Sequence, residues 1–210
     1  MEAILRFNSK SNEVEMAIQD NNDNITEKIV NINDVIKELQ QVVVIKQPPI
    51  RIDNFDNGLI SFIKSQEKEH YIYRFDERKI KCTFDGKGYS INHPNAIFVI
   101  DVEKNRFTKI NSYCFKEWKG KNTKLFKYPF PNKLNGNTMC TGTVSREFKT
   151  PLETIMNVVE ANYTHAHSEF VVKEFKDTKV LFKYLSKNPF PYDVLNSLGY
   201  SLGKILEEIN

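Results

Sequence analysis

Cysteine is scarce in this chain: Cys82, Cys114 and Cys140 are the only three among 210 residues, and no two form a CxxC pair. An odd number leaves at least one free thiol, which suits a reducing compartment better than a disulfide-stapled secreted domain. No apolar run approaches the roughly 20 residues that span a bilayer. Residues 1–7 have neither the basic flank nor the apolar centre of a signal peptide. Secretion and membrane insertion are therefore disfavoured, and a cytoplasmic location is expected. A block of one charge sign is lacking too, because 30 basic and 27 acidic residues are mixed along the chain for a net +3. A nucleic-acid footprint needs clustering, so no nucleic-acid partner is expected, and the modestly basic 116–127 segment reads as a solvated loop. Internal repeats and linker-like composition are absent as well.

What is present is the composition of an ordinary globular protein, 40% hydrophobic and 27% charged, with one main core. Runs 2–7, 13–19 and 25–32 are separated by Asn/Ser/Asp clusters and predict an antiparallel start. Asn33 can cap a helix with Val35, Ile36 and Leu39 at helical spacing, ending before the β-branched run 42–45, and Pro48-Pro49 breaks the chain. Runs 59–63 and 71–75 suggest a hairpin, run 80–84 ends at the turn signal Asp85-Gly86-Lys87-Gly88, and runs 96–102 and 107–113 flank Glu103-Lys104-Asn105 as another hairpin. The middle thus reads as an antiparallel meander of four or five strands.

Thr150 followed by Pro151 is an N-cap with proline at the first helical position, and Leu152, Ile155, Met156 and Val159 extend a helix to about Ala161. Runs 170–175 and 180–184 fit either a hairpin or short helical pieces. From Pro191 onward, Val194, Leu195, Leu198, Leu202, Ile205 and Leu206 mark a C-terminal amphipathic helix. The expected architecture is α+β over a single domain, 1–210. N-terminal strands and a helix occupy 1–50, the core 50–170 and a helical region 171–210. The helices are expected to pack on one face of the meander, with an irregular segment crossing its end.

That irregular segment is 127–142. Pro129 and Pro131 fix φ and lack a backbone donor, so neither a helix nor a central strand passes through it. Cys140 then lies between Gly136 and Gly142, in a run too polar to be core. A thiol on exposed, irregular backbone can act as a nucleophile and accept an acyl group. Asn132 precedes it by eight residues, and an asparagine amide is a neutral donor suited to a developing oxyanion. The plain alternative is that Cys140 is a small residue after a turn. Cys82 and Cys114, in strand-like runs, read as buried and inert. Tyr128 and Phe130 either wall the cysteine or simply pack.

His93-Pro94-Asn95 has the letters of the tripeptide that ubiquitin-conjugating enzymes place eight residues ahead of their catalytic cysteine. Here that position is Glu103, so the tripeptide reads as a loop into the next strand. Pro131-Asn132 has the right interval. The segment Thr123-Lys124-Leu125-Phe126-Lys127-Tyr128-Pro129-Phe130-Pro131-Asn132, with Gly136, Met139-Cys140 and Gly142, resembles the signature of the prokaryotic ubiquitin-conjugating-enzyme-like family D, also called PRTRC system protein B. That pattern is roughly T-P-L-Y-x-A-P-F-F-N, a glycine turn, then V-C-x-G. Tyr163-Thr164-His165 resembles the family's downstream phenylalanine-threonine-histidine element, and Pro94 with 96–99 its preceding hairpin. The likeness covers roughly residues 50 to 170. Phe130 departs from the histidine of the eukaryotic tripeptide and Pro131 from the family phenylalanine, which affects turn geometry more than the thiol.

The resemblance implies a bacterial UBC-like fold and a pathway containing a ubiquitin-like modifier, a ThiF-type activating enzyme and a JAB-type metallopeptidase. It implies a thioester carrier with Cys140 as nucleophile, Asn132 as oxyanion donor and His165 assisting proton transfer or shaping the site. No small cofactor and no metal are implied, since Cys140, His165 and His167 are a weak ligand set. Two histidines at i and i+2 are equally readable as surface residues. Other readings are a non-catalytic UBC-fold module that binds a ubiquitin-like protein or scaffolds a plasmid- or defence-associated complex, and a thiol peptidase using Cys140 and His165.

Overall fold

The structure, a computed structural model, describes residues 2–7, 13–19, 23–42, 49–53, 58–65, 67–134, 136–164, 172 and 174–209. It is mixed α+β and mostly antiparallel, with few helices. The chain divides into two compact units, Met1–Gln47 and Pro48–Asn210.

In the first unit, β1 (Glu2–Phe7), β2 (Glu13–Gln19) and β3 (Ile25–Asn31) form a three-stranded antiparallel sheet, followed by α1 (Ile32–Val42). The antiparallel start is as expected, but the cap differs. Asn31, not Asn33, turns its side chain onto the helix start, its Oδ1 accepting from Asn33 N–H at 2.9 Å. An Asx oxygen is suited to the bare N–H groups of a first turn.

The second unit is built on a seven-stranded sheet. Its strands are β4 (Ile50–Asp53), β5 (Leu59–Lys64), β6 (Glu69–Phe75), β9 (Ala96–Glu103), β10 (Arg106–Cys114), β11 (Lys124–Lys127) and β13 (Ser197–Ser201), in the order β13-β11-β10-β9-β6-β5-β4. The meander is interrupted. β7 (Arg78–Phe84) and β8 (Lys87–His93) leave the sheet as a separate hairpin, joined in parallel by β12 (Asn162–Tyr163), and β6 pairs directly with β9. The turn of that hairpin is Asp85-Gly86 alone, with φ of 49° and 71°. Lys87 and Gly88 therefore open a strand instead of extending a loop, as a two-residue Asp-Gly connection requires. Pro94, with no N–H for a ladder, ends β8. Asn95 Oδ1 accepts from Glu77 N–H at 2.8 Å and ties the two crossing connections together.

Both faces of the sheet are buried. Along β9, Ala96, Phe98, Ile100 and Val102 join one apolar cluster, and Ile97 and Val99 the other, as the two-residue period of a strand dictates. The first cluster receives α2 (Pro151–Val159) through Ile155, Val158 and Val159, and α3 (Thr178–Leu185) through Leu181, Phe182 and Leu185. The second receives α4 (Leu202–Glu208) through Leu202, Ile205 and Leu206. Helices thus lie on two faces, not one. The C-terminal helix is also shorter than its apolar spacing suggests, because Ser197–Ser201 is a strand. Gly199, at φ 77°, cannot sit inside a right-handed helix. Among the described residues no helix is long and apolar enough to cross a membrane.

Candidate functional site: the Cys140 segment

β11 pairs with β10 only at Tyr113–Lys127 and Cys114–Phe126. Beyond Lys127 the prolines end the pairing, and the chain turns inward. Tyr128 and Phe130 pack in the first apolar cluster with Phe98 and Phe182, so they are core and not walls of a pocket.

The tripeptide set aside in the sequence holds this segment in place. His93 is fully buried, with Nδ1 2.7 Å from Pro94 O and Nε2 2.7 Å from Tyr128 Oη. A carbonyl only accepts, so Nδ1 carries the hydrogen and Nε2 accepts from the tyrosine hydroxyl. Burial, which penalises the imidazolium, pushes the His93 pKa down to about 3, against a smaller raising effect of the Pro94 carbonyl. The contact joins residues 35 positions apart, and no local pattern announces it.

Asn132 reverses the chain in the left-handed region, at φ 61°, where asparagine is tolerated better than most residues. Its carbonyl accepts from Cys140 N–H at 2.6 Å, Leu134 N–H donates to Thr138 O at 2.8 Å, and Lys133 bridges Met139. Residues 132–134 and 138–140 are thus the two limbs of a closed reversal, with Gly136 at φ 70° between them. The returning limb covers the β10 edge that β11 leaves open: Met139 N–H donates to Ile110 O at 2.8 Å, and Phe107 N–H to Arg146 O at 2.9 Å. This is the expected irregular segment at the sheet's end, and its lateral bonds explain why so polar a run is ordered.

Alternation along the limb buries Met139 and leaves Cys140 partly exposed. The other thiols are interior, as expected. Burial, with the Glu160 charge adding to it, pushes Cys82 up to about 12, and burial likewise raises Cys114. Lys133 is unexpected, a lysine buried to 8% exposure whose Nζ donates to Tyr128 O at 3.4 Å. Its only sequence signal is its place inside a backbone reversal.

The Asn132 amide faces β12. Its Nδ2 donates to Asn162 O at 3.0 Å, while Oδ1 accepts from Thr164 N–H at 3.0 Å and from its hydroxyl at 3.4 Å. Asn162 Oδ1 in turn accepts from Thr83 Oγ1 at 2.9 Å. Asn132 therefore joins the Cys140 loop, through its backbone, to the β7–β12 ladder, through its side chain. His165 and His167 lie outside the described residues. No group of three or more His, Cys, Asp or Glu among the described residues is placed to hold a metal. In the basic stretch, Lys116 pairs with Asp193 at 3.1 Å and Lys119 with Glu117 at 2.8 Å.

Fold and site together define an α+β protein whose partly exposed cysteine sits on an irregular segment at the margin of an antiparallel sheet. No family model, no curated protein and no solved structure matches the chain.

Proposed function

We propose that the chain is a bacterial, cytoplasmic, ubiquitin-conjugating-enzyme-like carrier with a UBC-like fold. In this reading the Cys140 thiolate attacks the thioester carbonyl that joins a ubiquitin-like modifier to a ThiF-type activating enzyme. A new S–C bond forms and the activating enzyme's thiol departs. An acceptor amine then attacks the same carbonyl, forms the amide and releases the Cys140 thiol, with ATP consumed only by the activating partner. Asn132 would hold the loop and direct its second N–H at the oxyanion, a donor of a kind whose loss typically costs about 100- to 1000-fold in rate. His165 would take the amine's proton, and a JAB-type metallopeptidase would act in the same pathway.

The observation that carries this reading is the contrast among the three thiols. Cys82 and Cys114 are buried, and Cys140 alone is partly exposed, on backbone tied to Asn132 eight residues earlier. The test mixes the protein with its activating enzyme, the modifier and ATP, and separates the products without reductant. A reductant-sensitive adduct that disappears in Cys140→Ala is expected. Modifier cleavage without ATP would instead mark a thiol peptidase.

A second reading, a non-catalytic module that binds a ubiquitin-like protein, is favoured by the Asn132 amide. Both of its ends are engaged by β12 and its neighbour Thr164, as in a structural tie. Wild type and Cys140→Ala that both bind the modifier and both stay unmodified would establish that module.

A further inference from the structure

The two margins of the seven-stranded sheet are built differently. At one, β13 meets β11 with a register shift between Lys124 and Phe126 and carries Gly199 at positive φ, which blunts that edge against further pairing. At the other, β4 is regular: Ile50, Arg51, Ile52 and Asp53 oppose Lys64, Ile63, Phe62 and Ser61 without a break. Among the described residues no strand pairs with the outer side of β4. The edge has no lysine and no bulge, and Ile50 and Ile52 are 60% and 59% exposed. They share a face with Phe62, whose ring is 4.9 Å from Tyr71. On the opposite face Arg51 bonds Asp53 at 3.0 Å and Leu206 O at 3.0 Å.

We propose that two copies of the chain associate about a two-fold axis through antiparallel pairing of their β4 edges, with Ile52 opposite Ile52 of the partner subunit. Strand geometry selects this register. Directly opposed residues in an antiparallel pair share a face, so a one-residue slip is forbidden wherever the faces differ. Centring the axis on Arg51 sets two guanidinium groups against each other, and centring it on Asp53 sets two carboxylates. Only the Ile52 register places Arg51 opposite Asp53 of the partner subunit, twice by symmetry, while the isoleucines form one apolar row beside Phe62. Arg51 and Asp53 then extend an existing ion pair into a four-charge cluster. An isologous contact of this kind closes at two copies.

Light scattering coupled to size exclusion, over a dilution series of the full chain, tests this. A dimer mass at high concentration is expected. Ile52→Lys places two ammonium groups on the axis and should weaken association about tenfold or more, with an unchanged far-UV circular dichroism spectrum because Ile52 is already exposed in one copy. Ile52→Cys in a Cys140→Ala background, treated with oxidised glutathione, should cross-link as a dimer faster than Lys87→Cys at the start of β8. A wild type that stays monomeric, a dimer indifferent to Ile52→Lys, a mass that keeps growing, or equal cross-linking at both positions would each overturn the proposal.

Discussion

The Tyr128 hydroxyl donates to His93 Nε2 at 2.7 Å inside the core, with both side chains fully buried. Tyr128→Phe keeps the ring and removes the donor, leaving a buried imidazole nitrogen unpaired. A loss of about 1–3 kcal/mol in unfolding free energy is expected from urea titration. His93→Phe in the Tyr128→Phe background should recover part of it, because the stranded imidazole nitrogen is gone, and the recovery is incomplete because the Pro94 carbonyl loses its donor.

The same histidine makes stability pH-dependent. Its folded pKa, about 3, lies below the ordinary 6.5, so between these values the unfolded chain binds the extra proton. Its contribution is complete above pH 6.5 and shrinks as pH falls towards 3, by up to about 1.4 kcal/mol per unit. Urea midpoints at successive pH values below 6.5 should show this slope, and His93→Gln should flatten it.

Thiol accessibility separates Cys140 from its two counterparts. With an aromatic disulfide reagent, one thiol of the three should react rapidly in the folded protein and all three in denaturant, since Cys82 and Cys114 are 4% and 0% exposed. Cys140→Ala should abolish the fast phase. A persistent fast phase in that variant would mean that one of the buried pair opens.

Asn132 carries two separable contributions, its amide bonds to Asn162 and Thr164 and its left-handed backbone. Asn132→Ala loses both and should destabilise by about 1–3 kcal/mol. Asn132→Gly loses only the amide, and should melt above the alanine variant by the equivalent of about 1 kcal/mol. Equal melting temperatures would show that φ contributes nothing there.

At Gly58, an added Cβ would lie 2.5 Å from Cζ and Oη of Tyr73. Gly58→Ala should therefore destabilise by about 1–3 kcal/mol through overpacking. Tyr73→Leu in that background should cost less than in wild type, read as a coupling in thermal melts.

Local chemistry was legible wherever a short stretch contains its own partner. The Thr150 cap is such a case, its side chain accepting from Glu153 N–H at 3.2 Å. So is the Lys104-Asn105 turn, with both φ values positive. The irregular backbone before Cys140 is another, because Pro129, Pro131 and Gly136 mark it locally. β8 was hidden because Gly88 prolonged a turn signal. The strand Ser197–Ser201 was hidden because Leu198 and Leu202 are spaced for a helix even though Gly199 breaks it.

The sequence by itself determined the antiparallel α+β character, the helix start at Thr150 and the irregular, cysteine-bearing segment, since periodicity, capping and proline geometry act within a few residues. Tertiary structure alone decided that β6 lies beside β9, that His93 anchors Tyr128, and that the Asn132 amide reaches Asn162 and Thr164. Those relationships join residues some 20 to 35 positions apart, and they depend on burial and hydrogen-bond satisfaction across the whole core, which no local pattern encodes.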